Sequence, residues 1–201
     1  VDIYLDGKKD FVVLKSIAIG LRVGQELSAD QIAELRQKDS EERIFQHALR
    51  LISRRPRSER ELRDSFKKKR AQTEIQDAVV ARLVEKGLID DRAFAEAWVE
   101  NRLTFRPRSS WALQYELRKK GIGSETINEV LEGFDNEEAA HRAALKQAGK
   151  LSDLSWELFQ KRLAAYLERR GFRYSTISPV IKRVWKEMEI SGDESEVEPW
   201  K

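Results

Sequence analysis

Arg55-Pro56-Arg57-Ser58 recurs as Arg106-Pro107-Arg108-Ser109, 51 positions later, and the residues after each copy recur with it. Leu62 and Phe66 follow the first serine at the spacing at which Leu113 and Leu117 follow the second. The second copy is matched in turn 50 positions on. Leu113-x3-Leu117-Arg118-Lys119-Lys120-Gly121-Ile122 corresponds to Leu163-x3-Leu167-Glu168-Arg169-Arg170-Gly171-Phe172. Ser124-Glu-Thr-Ile127-x2-Val130-Leu131 then aligns with Tyr174-Ser-Thr-Ile177-x2-Val180-Ile181. Self-similarity at a fixed period marks a repeat protein, here with three units of about 50 residues.

The apolar positions within each unit fall at helical spacing. The first unit reads as helices over 40–53, 58–69 and 73–86; the second as 90–105, 109–120 and 124–133; the third as 136–150, 155–170 and 175–190. Ser58 with Glu61 and Thr73 with Gln76 read as capping boxes, and Asp90 and Asp135 as N-caps. Gly87, Gly121 and Gly171 suit the left-handed residue that closes a helix. Helices this short are marginal alone and must pack into a three-helix core per unit.

Upstream, Ser28 with Gln31 opens a linking helix over 28–39, and a new start is expected at Asp39 or Ser40. Residues 1–27 differ in character. Two short apolar runs flank Asp6-Gly7, a two-residue hairpin signal. An isolated hairpin is barely stable, and segment 16–27 is the candidate support. The expected fold is therefore all-α: tandem three-helix repeats in an elongated curved stack, with a small N-terminal β-hairpin. Its parts are a hairpin and connector over 1–27, the linking helix 28–39, repeats over 40–88, 89–134 and 135–191, and an acidic tail over 192–201 in which Trp200 is a candidate anchor.

Composition narrows the function. Charged residues make up 36% of the chain, well above a globular average, which favours an elongated body with small cores. Because 38 basic residues nearly balance 35 acidic ones, only the distribution of charge can argue for an anionic partner. The absence of cysteine excludes disulfides and thiolate chemistry. The two histidines, His47 and His141, have no second ligand at helical spacing, so no metal or other cofactor is expected. Asp90-Asp91 is the one tempting acid pair, but adjacent helical residues point about 100° apart. With no phosphate loop and no nucleophile elbow, an enzyme is not expected. No apolar run approaches a membrane span. A cytoplasmic monomer is expected, and the start at Val1 reads as a trimmed one.

The basic clusters carry the functional signal. Between Arg54 and Arg70 lie nine cations, including Arg54, Arg55, Arg57, Lys67, Lys68, Lys69 and Arg70, against three acids. The second unit repeats the pattern with Arg102, Arg106, Arg108, Lys119 and Lys120, and the third with Arg169 and Arg170. Cations at a helix C-terminus offset its dipole, which accounts well for Lys119 and Lys120. It accounts poorly for Arg-Pro-Arg turns placed before a helix N-terminus. A basic stripe for an anionic partner, either DNA or an acidic protein, is the competing account. Trp111 adds to it, because its counterparts in the sister units are Arg60 and Lys161. A tryptophan at an otherwise charged position suggests an exposed aromatic for an interface or for base stacking.

Three segments carry a family resemblance. Ala48-Leu-Arg-Leu-Ile-Ser-Arg-Arg-Pro-Arg-Ser-Glu-Arg-Glu-Leu-Arg63 resembles the opening repeat of the RecX family. Lys86-Gly-Leu-Ile-Asp-Asp-Arg-Ala-Phe-Ala95 is similar to the segment joining its first two repeats, and Glu116-Leu-Arg-Lys-Lys-Gly-Ile122 to its second-repeat motif. One departure is Lys67-Lys-Lys-Arg-Ala71, where the family's glycine after the basic run is missing and the shape of that turn is left open. The resemblance implies a regulator that binds the RecA–DNA filament along its groove and suppresses strand exchange, ATP hydrolysis and co-protease action, modulating DNA repair and the SOS response. Direct contact with single- or double-stranded DNA stays open. The alternative is a free-standing DNA-binding protein with helix-turn-helix-like repeats.

Overall fold

The structure is a computed structural model describing residues 1–195, with side chains described to Glu189. The end of the acidic tail, with Trp200, lies outside the described residues. Strands β1 (Asp2–Leu5) and β2 (Lys8–Val12) form an antiparallel hairpin turning on Asp6-Gly7. The register slips between Ile3 and Tyr4, leaving Asp10 as the extra residue of a bulge. Ten helices come after it among the described residues. The first two are α1 (Lys15–Ala18), a single turn, and α2 (Ala29–Ile52). Then come α3 (Glu59–Lys68), α4 (Thr73–Glu85), α5 (Asp91–Phe105), α6 (Ser110–Lys119) and α7 (Ser124–Val130). The last are α8 (Asn136–Ala148), α9 (Trp156–Glu168) and α10 (Tyr174–Ser195). The described residues form two compact units, the first over 1–94 and the second from 95 onward, divided within α5.

In the first unit, α2 corrects the expected break at Asp39 or Ser40. Both halves of the Ser28–Gln31 capping box form, and the helix then runs on unbroken for 24 residues. Asp39 is buried and does not act as a cap. Its carboxylate accepts from the Leu14 amide (2.6 Å) and from Arg43 Nε (2.6 Å). Arg36 reaches Asp10 and lies over the Phe11 ring. Arg36, Asp39 and Arg43 of α2 thus hold the second strand and the chain that leaves it. Phe45 and Ala48 on α2, Leu62 and Phe66 on α3, and Val79 and Leu83 on α4 form the core. Thr73 also departs from expectation: it is the first helical residue, not the cap. Buried Gln76 instead donates from Nε2 to the Ala71 carbonyl (2.8 Å).

In the second unit, the alanines of α8 (Ala139, Ala140, Ala143, Ala144) let α9 and α10 approach closely around Phe159, Leu163, Leu167, Ile177 and Val184. The repeat found in the sequence is also a repeat in burial. Leu62, Leu113 and Leu163 are each fully buried, as are Phe66, Leu117 and Leu167. Burying each such side chain is worth about 1.5–3 kcal/mol.

All three middle helices close in the same way. The amides of Ala71, Ile122 and Phe172 donate to the carbonyls of Phe66, Leu117 and Leu167 at 3.1, 3.1 and 3.3 Å, the six-to-one bond of a Schellman cap. The residue before each amide is left-handed: Gly121 and Gly171 at φ 87°, and Arg70 at φ 58°. The turn without its glycine therefore keeps its shape. The cost is roughly 1–2 kcal/mol of strain at an L-residue.

Candidate functional site

The two Arg-Pro-Arg-Ser turns end on buried N-caps. Ser58 Oγ accepts from the Glu61 amide (3.3 Å) and Ser109 Oγ from the Ala112 amide (3.2 Å). The next amide in each turn is held from the following repeat. Glu59 N donates to Asp91 Oδ1 and Ser110 N to Asn136 Oδ1, both at 2.9 Å. The tempting acid pair is thereby explained: Asp90 caps α5 through the amides of Arg92 and Ala93, and Asp91 latches α3. Burial raises the Asp91 pKa above the ordinary aspartate value; the Glu59 amide opposes the rise, and the charges of Glu59 and Asp90 add to it. The latching role of Asp91 and Asn136 was missed in the sequence. Its only trace there is a polar side chain at the first position of α5 and again of α8.

Several candidate cations are engaged within their own unit. Arg55 holds Glu61 with both guanidinium nitrogens, at 2.8 and 3.1 Å, and Arg57 Nη1 lies 3.8 Å from the same carboxylate. In the second unit the acid sits one turn further along, at Glu116. It accepts from Arg102 Nε (2.7 Å) and Trp98 Nε1 (2.8 Å). Arg108 Nε lies 3.1 Å from Glu116 but out of line for a hydrogen bond, and it is buried like its counterpart Arg57 Nε. Arg102 and Lys120 both lie over the Trp98 ring. Arg170 donates to the Pro107 carbonyl (3.1 Å) and covers Tyr166.

The remaining candidates face solvent. Arg54, Lys67, Lys68, Lys69 and Arg70 in the first unit, and Arg106 and Arg169 in the second, are exposed and form no ion pair among the described residues. Trp111 is 64% exposed and stacks on Tyr115 with centroids 6.4 Å apart and planes 8° from parallel. Lys119 lies 4.5 Å from the Tyr115 centroid, so one face of α6 presents two aromatics and a cation.

The histidines pair with ordinary partners. His47 Nε2 lies 2.8 Å from Ser65 Oγ, and His141 Nε2 lies 2.8 Å from Glu187 Oε2. Burial, then the charges of Lys69 and Arg50, lower the His47 pKa below the usual histidine value. The described residues contain no cluster of three or more metal-ligating side chains, and no helix long and apolar enough to cross a membrane.

Models of three RecX domains match consecutive parts of the chain: the first three-helix domain at residues 45–83, the second at 90–131 and the third at 135–181. "Regulatory protein RecX" of Halalkalibacterium halodurans is 31% identical over 201 residues, spanning 97% of this chain and 72% of that protein. The protein of the same name from Bacillus velezensis is 31% identical over 206 residues, spanning 100% and 77%. A crystal structure of regulatory protein RecX superposes with a TM-score of 0.70 at 27% identity, covering 89% of this chain and 92% of that one. RecX from Lactobacillus salivarius shares the fold, with a TM-score of 0.61 at 22% identity over 73% and 97% of the two chains. Three matched domains, tandem three-helix repeats and relatives of this coverage together place the chain in the RecX family.

Proposed function

We propose that the chain is a regulator, not an enzyme, that binds the RecA–DNA filament and restrains strand exchange, ATP hydrolysis and co-protease action, so modulating DNA repair and the SOS response. It acts as a cytoplasmic monomer without a cofactor. The observation that carries this reading is the exposed cation set at the C-terminal end of the middle helix, which forms no ion pair among the described residues: Lys67, Lys68, Lys69 and Arg70 in the first unit, echoed by Arg169 in the second. Such a set favours an anionic partner whose encounter is steered by charge. The test is recombinase ATPase and strand exchange with added protein at two salt concentrations. Inhibition at stoichiometric levels that weakens with salt is expected; no inhibition at either salt would remove the reading. One observation favours free-standing DNA binding as a second reading. Exposed Trp111 and Tyr115 beside Lys119 form a platform on which bases can stack. Trp111→Ala would then weaken single-strand binding without recombinase present.

A further inference from the structure

Within the first unit, α2 and the turn between α3 and α4 flank an open cleft of about 690 Å³. Arg36, Ser40 and Arg43 line it from α2; Lys69, Arg70 and Glu74 line it from the other side. Arg36 and Arg43 are each held by one acid, Asp10 and Asp39, which fixes the two guanidinium groups in place. Lys69 and Arg70 have no such partner among the described residues, so against Glu74 the cleft keeps an excess of positive charge. The backbone adds a second, independent observation. At the position where both sister turns have glycine, this turn places arginine in a left-handed conformation. Strain of that kind persists where the side chain is needed, and here the side chain lines the cleft.

We propose that this cleft is a phosphate-binding site of the first repeat, with Arg70 and Lys69 as the mobile ligands and Arg36 and Arg43 as the fixed ones. Guanidinium groups suit phosphate because their donors match its oxygens two at a time. The phosphate can belong to a nucleic-acid backbone or to a small free phosphate, and Lys67 and Lys68, exposed and preceding Lys69 in the chain, would offer a continuing strand further contacts. The inference rests on reading the basic faces as anion-binding, and it assigns one of them a ligand and a geometry.

The test uses the full chain without recombinase and two probes, a short oligothymidylate and inorganic pyrophosphate. Arg70→Gly suits the turn, so its thermal midpoint should hold or rise while oligothymidylate affinity falls about five- to tenfold. The slope of log affinity against log salt should shrink by about one. Lys69→Gln should act in the same direction. Lys86→Gln removes a charge from the same unit outside the cleft and should leave affinity within about twofold. Loss confined to the oligothymidylate assigns the site to a nucleic-acid backbone; loss of both probes assigns it to phosphate in general. Unchanged binding of both probes by Arg70→Gly and Lys69→Gln, or equal weakening by Lys86→Gln, overturns the proposal. Since recombinase is absent, that failure removes the cleft alone, while the strand-exchange assay decides the filament reading.

Discussion

The same four residues, Arg-Pro-Arg-Ser, sit in different surroundings in the two units. In the first, Glu61 stands in the opening turn of α3 and takes the first arginine, Arg55, in a two-pronged grip. In the second, the equivalent position is Ala112, and the acid appears one helical turn later as Glu116. Glu116 reaches the second arginine, Arg108, together with Arg102 and Trp98, leaving Arg106 exposed. The prolines differ too: Pro56 is exposed, whereas Pro107 is buried with its carbonyl under Arg170. Identical motifs therefore do not present identical surfaces. A four-residue shift of one carboxylate decides whether the first arginine of the motif is held, as Arg55 is, or left exposed, as Arg106 is.

The largest effect should come from breaking the packing beneath the second turn. A Cβ at Gly171 would lie 2.7 Å from Ser109 Oγ and 2.9 Å from Ala112 Cβ, at a φ of 87°. Gly171→Ala should cost roughly 2–4 kcal/mol, combining left-handed strain with overpacking. Gly87→Ala, left-handed but with nothing within 4 Å, should cost only the strain, about 1 kcal/mol. Urea midpoints of the two variants measure the difference; equal losses would mean the Ser109 turn can yield.

Next in size is the displaced acid. Glu116→Gln keeps the shape but removes the charge that pairs with Arg102 and accepts from Trp98, and should cost about 2–3 kcal/mol, since the Arg102 and Glu116 side chains are only 22% and 15% exposed. Glu61→Gln should cost about 1 kcal/mol, because Arg55 is 44% exposed and water can replace the partner. It should also free Arg55. If the contrast between the turns is right, Glu61→Gln strengthens oligonucleotide binding slightly while Glu116→Gln mainly unfolds. Equal stability losses in urea would contradict it.

What could be read from sequence divides along physical lines. The repeat, the fully buried Leu62, Leu113 and Leu163, the caps at Ser58, Asp90 and Asp135 and the left-handed closures are local or periodic, and short-range chemistry sets them. The failures lie where a side chain is used across distance. Asp39 resembles a cap until Leu14 is seen to claim it, and without that contact α2 cannot be known to run through. Of the arginines that precede a helix start, Arg55, Arg57 and Arg108 lie against acids whose reach depends on the fold, while Arg106 stays exposed. The cleft was illegible for the same reason, since Arg36 and Lys69 are far apart in sequence. The missing glycine at Arg70 was visible, but the persistence of the turn was not.

The smallest effect separates the units by pH. The folded His47 pKa lies below 6.5, so the unfolded chain binds this proton more readily than the folded one. The stability tied to His47 is full above about pH 6.5 and is lost as pH falls from there towards the lower folded value. Glu187 in the second unit behaves likewise, but in a more acidic window. The hydrogen bond from His141, with help from Arg183, holds its pKa below 4.5, so its contribution survives until pH falls below about 4.5. Acidification from pH 7 to 5 should therefore speed amide exchange around His47 and Ser65 before it touches α10. His47→Gln should flatten that early loss, because a neutral amide can still bond Ser65 and carries no proton to gain. Simultaneous loosening of both units, in wild type and variant alike, would show that His47 does not set the early loss.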